Sequence, residues 1–137
     1  MGQPQTILSA PYSFLTQSEE PESLFETVIA QAVDDALSDL GNTKQAIYCH
    51  LKNNYGINKK EIPRKIEDFT MAIEQIFGPV AKLIEIKIMK RLHVKYEAFL
   101  YTPKKGELNF VEFVYNLQRH LELEGLKLAF SMLMPRS

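Results

Sequence analysis

Apolar residues recur at intervals of three and four along most of the chain, which is the spacing typical of amphipathic helices. The pattern predicts five main helices, at about residues 22–40, 42–55, 66–77, 79–93 and 109–124. Glycines follow most of these segments, at positions where glycine commonly ends a helix. We therefore predict a mainly α protein, a compact bundle of about five helices.

Three segments depart from the helical pattern. Residues 1–17 contain two prolines, no charge and no clear period, so we expect an extended N-terminal arm before a single helical domain of residues 18–137. Residues 97–102 lead into a turn-forming Pro-Lys-Lys-Gly sequence, and apolar residues alternate with others along 126–134. Both segments are open to two interpretations, either a short β pair near the C-terminus or additional helix.

The predicted fourth helix is apolar around much more than one face. Such a helix normally lies in the centre of a core or in an oligomer interface. We therefore expect a homodimer, formed through this helix or through the arm. The candidate interface residues are Leu83, Ile86 and Met89.

The composition is that of one globular domain, because 137 residues of which 45% are apolar can build a core. The single cysteine excludes an internal disulfide, which is typical of a reducing cytoplasm. No apolar run approaches the ~20 residues of a membrane span, and the N-terminus does not resemble a secretion signal. The sequence predicts a cytoplasmic protein without membrane association.

Charge is distributed unevenly, although the net charge is only −1. All 16 basic residues lie at or after Lys44, whereas seven acidic residues precede it. We expect the two parts to pair within one fold or across a dimer. The basic residues on and after the fourth helix are the best candidates for a phosphate-contacting patch: Lys87, Lys90, Arg91, Lys95, Lys104 and Lys105.

No motif for catalysis or metal binding stands out. Cys49 and His50 are adjacent, and neighbours on a helix point about 100° apart, so they do not form a nucleophile–base pair. Because cysteine is among the most buried residue types, we expect Cys49 in the core. The histidines lack metal-ligand spacing, and the adjacent Asp34 and Asp35 are expected to be solvated charge. The sequence predicts no enzyme, no metal and no cofactor.

Several short stretches resemble a known family. They include Ala46-Ile47-Tyr48, Tyr55-Gly56-Ile57, Glu61-Ile62-Pro63, Ile76-Phe77-Gly78 and Ala81-Lys82-Leu83-Ile84-Glu85. Together they resemble a family of small archaeal helical domains, the Nitroso output-domain type of signal-transduction proteins, over residues 24–96. The resemblance implies an archaeal, α-helical output domain of unknown biochemical activity, and it implies no functional residues.

These observations favour a non-enzymatic interaction or signalling domain that forms a homodimer and could also bind another protein. A nucleic-acid-binding regulator that uses the basic end of the fourth helix is the first alternative. The second is a small-molecule sensor, because six aromatic residues could line a pocket instead of packing in the core. These residues are Tyr48, Tyr55, Phe69, Phe77, Phe99 and Tyr101.

Overall fold

The computed structural model describes residues 23–134, and this part of the chain is a mainly α bundle. Its five helices are α1 (Leu24–Ser38), α2 (Thr43–Tyr55), α3 (Ile66–Phe77), α4 (Ala81–Lys95) and α5 (Phe110–Leu133). Two short 3-10 segments, Lys59–Arg64 and Gly78–Val80, precede α3 and α4 respectively. The predicted arm, residues 1–17, lies outside the described residues.

Helix α1 begins at a reciprocal cap that fixes its first turn. The Ser23 hydroxyl accepts a hydrogen bond from the Glu26 backbone N–H, and the Glu26 carboxylate accepts one from the Ser23 N–H. From this cap, the helix presents one apolar face to the core, including Ile29 and Leu37, which are fully buried. The face packs mainly against α4, and α1 also contacts α2, α5 and the Lys59–Arg64 segment. The core face of α1 is therefore covered mainly by α4.

Gly56 ends α2 as the sequence predicts. Its φ of 67° lies in the left-handed region, which glycine adopts without steric cost. The following residue, Ile57, turns into the core and is 1% exposed. Asn58 and Glu61 then start the 3-10 segment with a second reciprocal cap. At the start of α2, Asn42 has helical dihedral angles and makes no side-chain capping bond.

The segment between α4 and α5 is irregular but anchored. Phe99 is buried, and its ring contacts the Phe113 ring edge-on at 5.4 Å. Tyr101 donates a hydrogen bond to a carboxylate oxygen of Glu112, and Asn109 caps α5 by accepting a hydrogen bond from the Glu112 N–H. These contacts explain how a segment without regular structure holds one path along the bundle.

No strand occurs between residues 23 and 134. The short β pair is therefore the wrong alternative, since residues 97–102 are irregular and 126–133 continue α5. The expectation that α5 stops at Gly125 is also wrong. Gly125 has ordinary helical geometry, and glycine inside a helix costs only about 1 kcal/mol relative to alanine.

Candidate functional site

The predicted phosphate-contacting patch is partly neutralised by acidic residues of α1. Lys87 Nζ lies 3.2 Å from Asp39 Oδ2, and the Arg91 guanidinium lies 3.5 Å from the same atom and 4.0 Å from Asp35. Contact with Lys87, reinforced by the charge of Arg91, lowers the pKa of the Asp39 carboxyl. A phosphate would have to compete with two carboxylates for this surface.

The remaining patch residues do not converge on one surface groove. Lys90 and Arg91 line one groove together with Asp35, whereas Lys104 and Lys105 line another together with Glu107. Lys95 is exposed at the end of α4. The structure therefore brings the six predicted residues to at least two places, each with a carboxylate beside the cations.

Asp34 lies at a junction of three elements. Its carboxylate accepts a hydrogen bond from the Tyr48 hydroxyl at 2.9 Å, and it pairs with Lys44 Nζ at 3.1 Å and with Lys59 Nζ at 3.3 Å. Burial alone would raise the pKa of Asp34, but the hydrogen bonds from Tyr48, Lys44 and Lys59 outweigh it and leave the pKa below 3.8. The prediction of solvated charge is wrong for Asp34, because it joins α1 to α2 and to the 3-10 segment.

The four described acids that precede Lys44 all pair with basic residues later in the chain. Besides the pairs of Asp34, Asp35 and Asp39, Glu26 near the start of α1 binds the Arg64 guanidinium. Each of these pairs joins an acid of α1 to a basic residue from Lys44 onward. An ion pair of this kind contributes little when it is exposed, so the set mainly fixes how α1 is placed against its neighbours.

The predicted interface residues on α4 do not form a continuous open surface. Leu83 is 59% exposed and Ile86 is partly buried, but Met89 is only 8% exposed and belongs to the core. Helix α4 is covered by α1, α3 and α5 on its apolar face. Its high apolar content is therefore accounted for largely within one chain.

Among residues 23–134, exposed large apolar side chains are most numerous on the second half of α5, which sequence reasoning did not single out. Residues 110–121 of this helix pack on the bundle, but every residue from 122 to 134 is exposed. The exposed apolar side chains there are Leu123, Leu126, Leu128, Phe130, Met132, Leu133 and Met134. The sequence did not reveal this surface because apolar residues alternate with others along 126–134, which also fits a strand. In a helix, residues that alternate in this way point in many directions instead of forming one apolar face.

A second unusual site surrounds Glu85 on α4. This side chain is 4% exposed, and its Oε2 atom has no hydrogen-bond partner among the described residues. It lines a groove of about 360 Å³ where α3, α4 and the start of α5 meet. Burial, together with the charge of Glu74, raises the pKa of Glu85.

The candidate nucleophile and bases do not form a catalytic pair. Cys49 is exposed, so the prediction of a core thiol is wrong. The ring of its neighbour His50 hydrogen-bonds the Asn54 amide, and the His120 ring lies against Phe99 at 5.3 Å. Within residues 23–134, no three histidine, cysteine or acidic side chains are arranged to hold a metal ion.

The aromatic residues proposed as a pocket lining instead pack in or against the core. Phe69, Phe99 and Tyr48 are buried. The other three, Tyr55, Phe77 and Tyr101, are partly buried beside them.

In the described part of the chain, no helix is both long and apolar enough to cross a lipid bilayer.

No protein-family model matches this chain, and no curated protein or solved structure is significantly similar to it. The resemblance to archaeal output domains therefore stays a prediction, and function has to be argued from the geometry alone.

Proposed function

We propose that this protein is a non-enzymatic interaction domain that forms a homodimer through the exposed second half of α5. The observation that carries the proposal is the continuation of α5 for about three turns beyond the bundle, with its large apolar residues uncovered. The role of signalling output domain, the archaeal origin and the cytoplasmic location belong to the same proposal and rest on the sequence.

The exposed half of α5 is apolar around most of its circumference. At about 100° per residue, Glu124, Lys127 and Ser131 fall within a stripe of roughly 60°. The apolar residues from Leu123 to Leu133 spread over about 220° of the remainder, where Glu122 is the one charged residue. A helix of this pattern is normally covered on nearly every side, and the rest of the described bundle does not cover it.

The uncovered area matches what a stable interface needs. At roughly 200 Å² for a fully exposed large side chain, the seven apolar residues leave about 800–900 Å² open. This exceeds the 300–600 Å² of the largest patch on a typical monomer. It equals the contribution of about 800 Å² that each partner makes to a standard protein–protein interface.

A second copy satisfies this surface without any other component, because a two-fold axis places the same apolar patch on both sides. Gly125 has no Cβ, and nothing lies within 4 Å of the place where one would stand, so the helices of two copies can approach closely there. Leu128 and Met132 lie on the same face of the helix as Gly125, so the contact at this point is apolar. Gly125 and its apolar neighbours thus favour a helix pair that crosses here.

Sedimentation equilibrium of the full chain at micromolar concentrations tests the proposal. We expect a dimer for the wild type and a monomer for the double variant Leu126→Glu/Phe130→Glu. Both positions are exposed, so the two substitutions should leave the fold of each chain intact. The monomeric variant should therefore keep its helical circular dichroism and the unfolding midpoint of a folded monomer. Ser131→Glu, on the polar stripe of the same helix, is the matched control and should stay dimeric.

A wild-type monomer at about 100 µM would contradict the proposal, because an interface of this size should associate well below that concentration. Association of the wild-type monomer with anionic vesicles, or capture of a different protein by α5, would likewise show that the surface has another occupant.

A further inference from the structure

Glu85 is a buried acid, and its contacts with the other described residues do not explain why a carboxylate is buried at this position. Buried carboxylate oxygens are almost always hydrogen-bonded, and leaving one unpaired costs about 1–3 kcal/mol or more. Oε2 of Glu85 has no partner among the described residues, and no ion pair joins Glu85 to Lys82, which lies one turn away. Nothing in the packing requires an acid here, since Ile84, Ile88 and Met89 beside it on α4 are apolar core residues.

The groove beside Glu85 has an acidic balance. Three carboxylates, Glu67, Glu74 and Glu85, line its wall against the single cation of Lys82. The charge of Glu74 and the burial of Glu85 act in the same direction, raising the pKa of Glu85, so a further positive charge in the groove would stabilise both carboxylates. A partly enclosed groove with one sign of charge concentrates ions of the opposite sign.

The other wall of the groove is apolar, formed by Phe110 and Val111 at the start of α5. A bare metal ion fits poorly, because the described residues offer no group of three suitable ligands. A charged group that carries a hydrocarbon chain uses both walls, placing its charge on the carboxylates and its methylenes on the apolar side. A volume of about 360 Å³ accommodates a chain of several methylenes.

We propose that the groove between α3, α4 and α5 is a binding site for an alkylammonium group, held by Glu85 and Glu74 and packed against Phe110 and Val111. The ammonium supplies a hydrogen-bond donor for Glu85 Oε2, which has none among the described residues. The same chemistry is offered by a small diamine and by the side chain of a lysine. The groove is separate from the exposed half of α5, so this proposal does not depend on the proposed homodimer.

The test is an NMR titration of the full chain at low salt with cadaverine and with N-acetyl-lysine amide. We expect saturable shifts of the Phe110 and Val111 amides, and a rise in the unfolding temperature that follows the fraction bound. Preference for cadaverine identifies a small amine, and preference for the amide identifies a lysine side chain. The neutral analogue 1-pentanol should cause neither effect.

Glu85→Gln keeps the shape of the side chain but removes its charge, and it should weaken binding at least tenfold, because a buried partner of an ion pair is lost. Glu97→Gln, at an exposed position outside the groove, is the matched control and should bind as the wild type does. Lys82→Met removes the resident ammonium and should tighten binding. Absence of saturable shifts up to about 10 mM, where even a millimolar site is filled, would overturn the proposal. Equal binding by Glu85→Gln, or equal binding of 1-pentanol, would also overturn it.

Discussion

The junction at Asp34 allows a sharp prediction about stability. Replacing Asp34 with alanine removes the acceptor of the Tyr48 hydroxyl and the partner of both Lys44 and Lys59. Tyr48 is 8% exposed and its hydrogen bond with Asp34 is partly buried, so water can replace the lost acceptor only in part. We therefore expect Asp34→Ala to destabilise the fold more by leaving the Tyr48 hydroxyl without an acceptor than by removing the two ion pairs.

The magnitude follows from these contacts. A buried hydroxyl left unpaired costs about 1–3 kcal/mol. The two ion pairs are partly exposed and contribute about 0–1 kcal/mol each. The free energy of unfolding should thus fall by about 1–5 kcal/mol, which corresponds to a decrease of roughly 0.5–2.5 M in the urea midpoint at about 2 kcal/mol per M.

Urea unfolding followed by circular dichroism measures this change. Asp35→Ala is the matched control, because its carboxylate accepts a surface hydrogen bond from Gln31 and lies 4.0 Å from Arg91. We expect the control to change stability by no more than about 0.5 kcal/mol. Equal effects of the two substitutions would refute the reasoning, since they differ mainly in the buried contact with Tyr48.

The pH dependence gives an independent check of the same junction. The pKa of Asp34 in the folded protein lies below its ordinary value of 3.8, so the carboxylate contributes stability above that pH. The difference between the wild type and Asp34→Ala should therefore be full near neutral pH and should diminish as the pH falls below 3.8. In a double-mutant cycle, Tyr48→Phe should cost less in the Asp34→Ala background than alone, because the hydroxyl it removes no longer has its acceptor.

Two further predictions concern Glu85 and the glycines. The pKa of Glu85 is raised in the folded protein, so ionisation of this side chain destabilises the folded state. In thermal unfolding, Glu85→Gln should match the wild type below about pH 4.5 and become more stable than the wild type, by about 1–2 kcal/mol, as the pH rises to neutrality. A difference that does not change with pH would contradict this. Gly56→Ala should destabilise the protein by about 1 kcal/mol in urea unfolding because of the positive φ at this position. In the monomeric variant Leu126→Glu/Phe130→Glu, where no second copy approaches Gly125, the added substitution Gly125→Ala should slow amide hydrogen exchange in the exposed half of α5, because alanine favours the helix by up to about 1 kcal/mol. A more stable Gly56→Ala variant, or faster exchange with Gly125→Ala, would contradict these predictions.

The sequence predicted the helices best where apolar spacing, caps and stops agreed. Helix α3 has the predicted bounds, because its narrow apolar seam faces the core and Gly78 follows it directly. The end of α5 could not be predicted in the same way. Gly125 is tolerated inside the helix, since most of the residues that follow it favour helix.

The site was harder to predict than the fold, because it depends on contacts between distant residues. The pairing of Asp39 with Lys87 joins positions 48 residues apart, and no local pattern specifies it. The isolation of Glu85 is also a tertiary property, since the sequence around an acid does not show whether its side chain finds a partner in the fold. Cys49 illustrates the limit of residue frequencies, because a usually buried residue type is exposed here.

The packing of α1 mainly against α4 has a consequence for the order of folding during synthesis. Its apolar face is covered mainly by α4, which begins more than forty residues later in the chain. At a synthesis rate of roughly 5–20 residues per second, α1 leaves the ribosome seconds before the helix that covers it. For that interval the nascent chain presents a continuous apolar stripe, a surface that chaperones bind, and docking of α4 is the event that removes it.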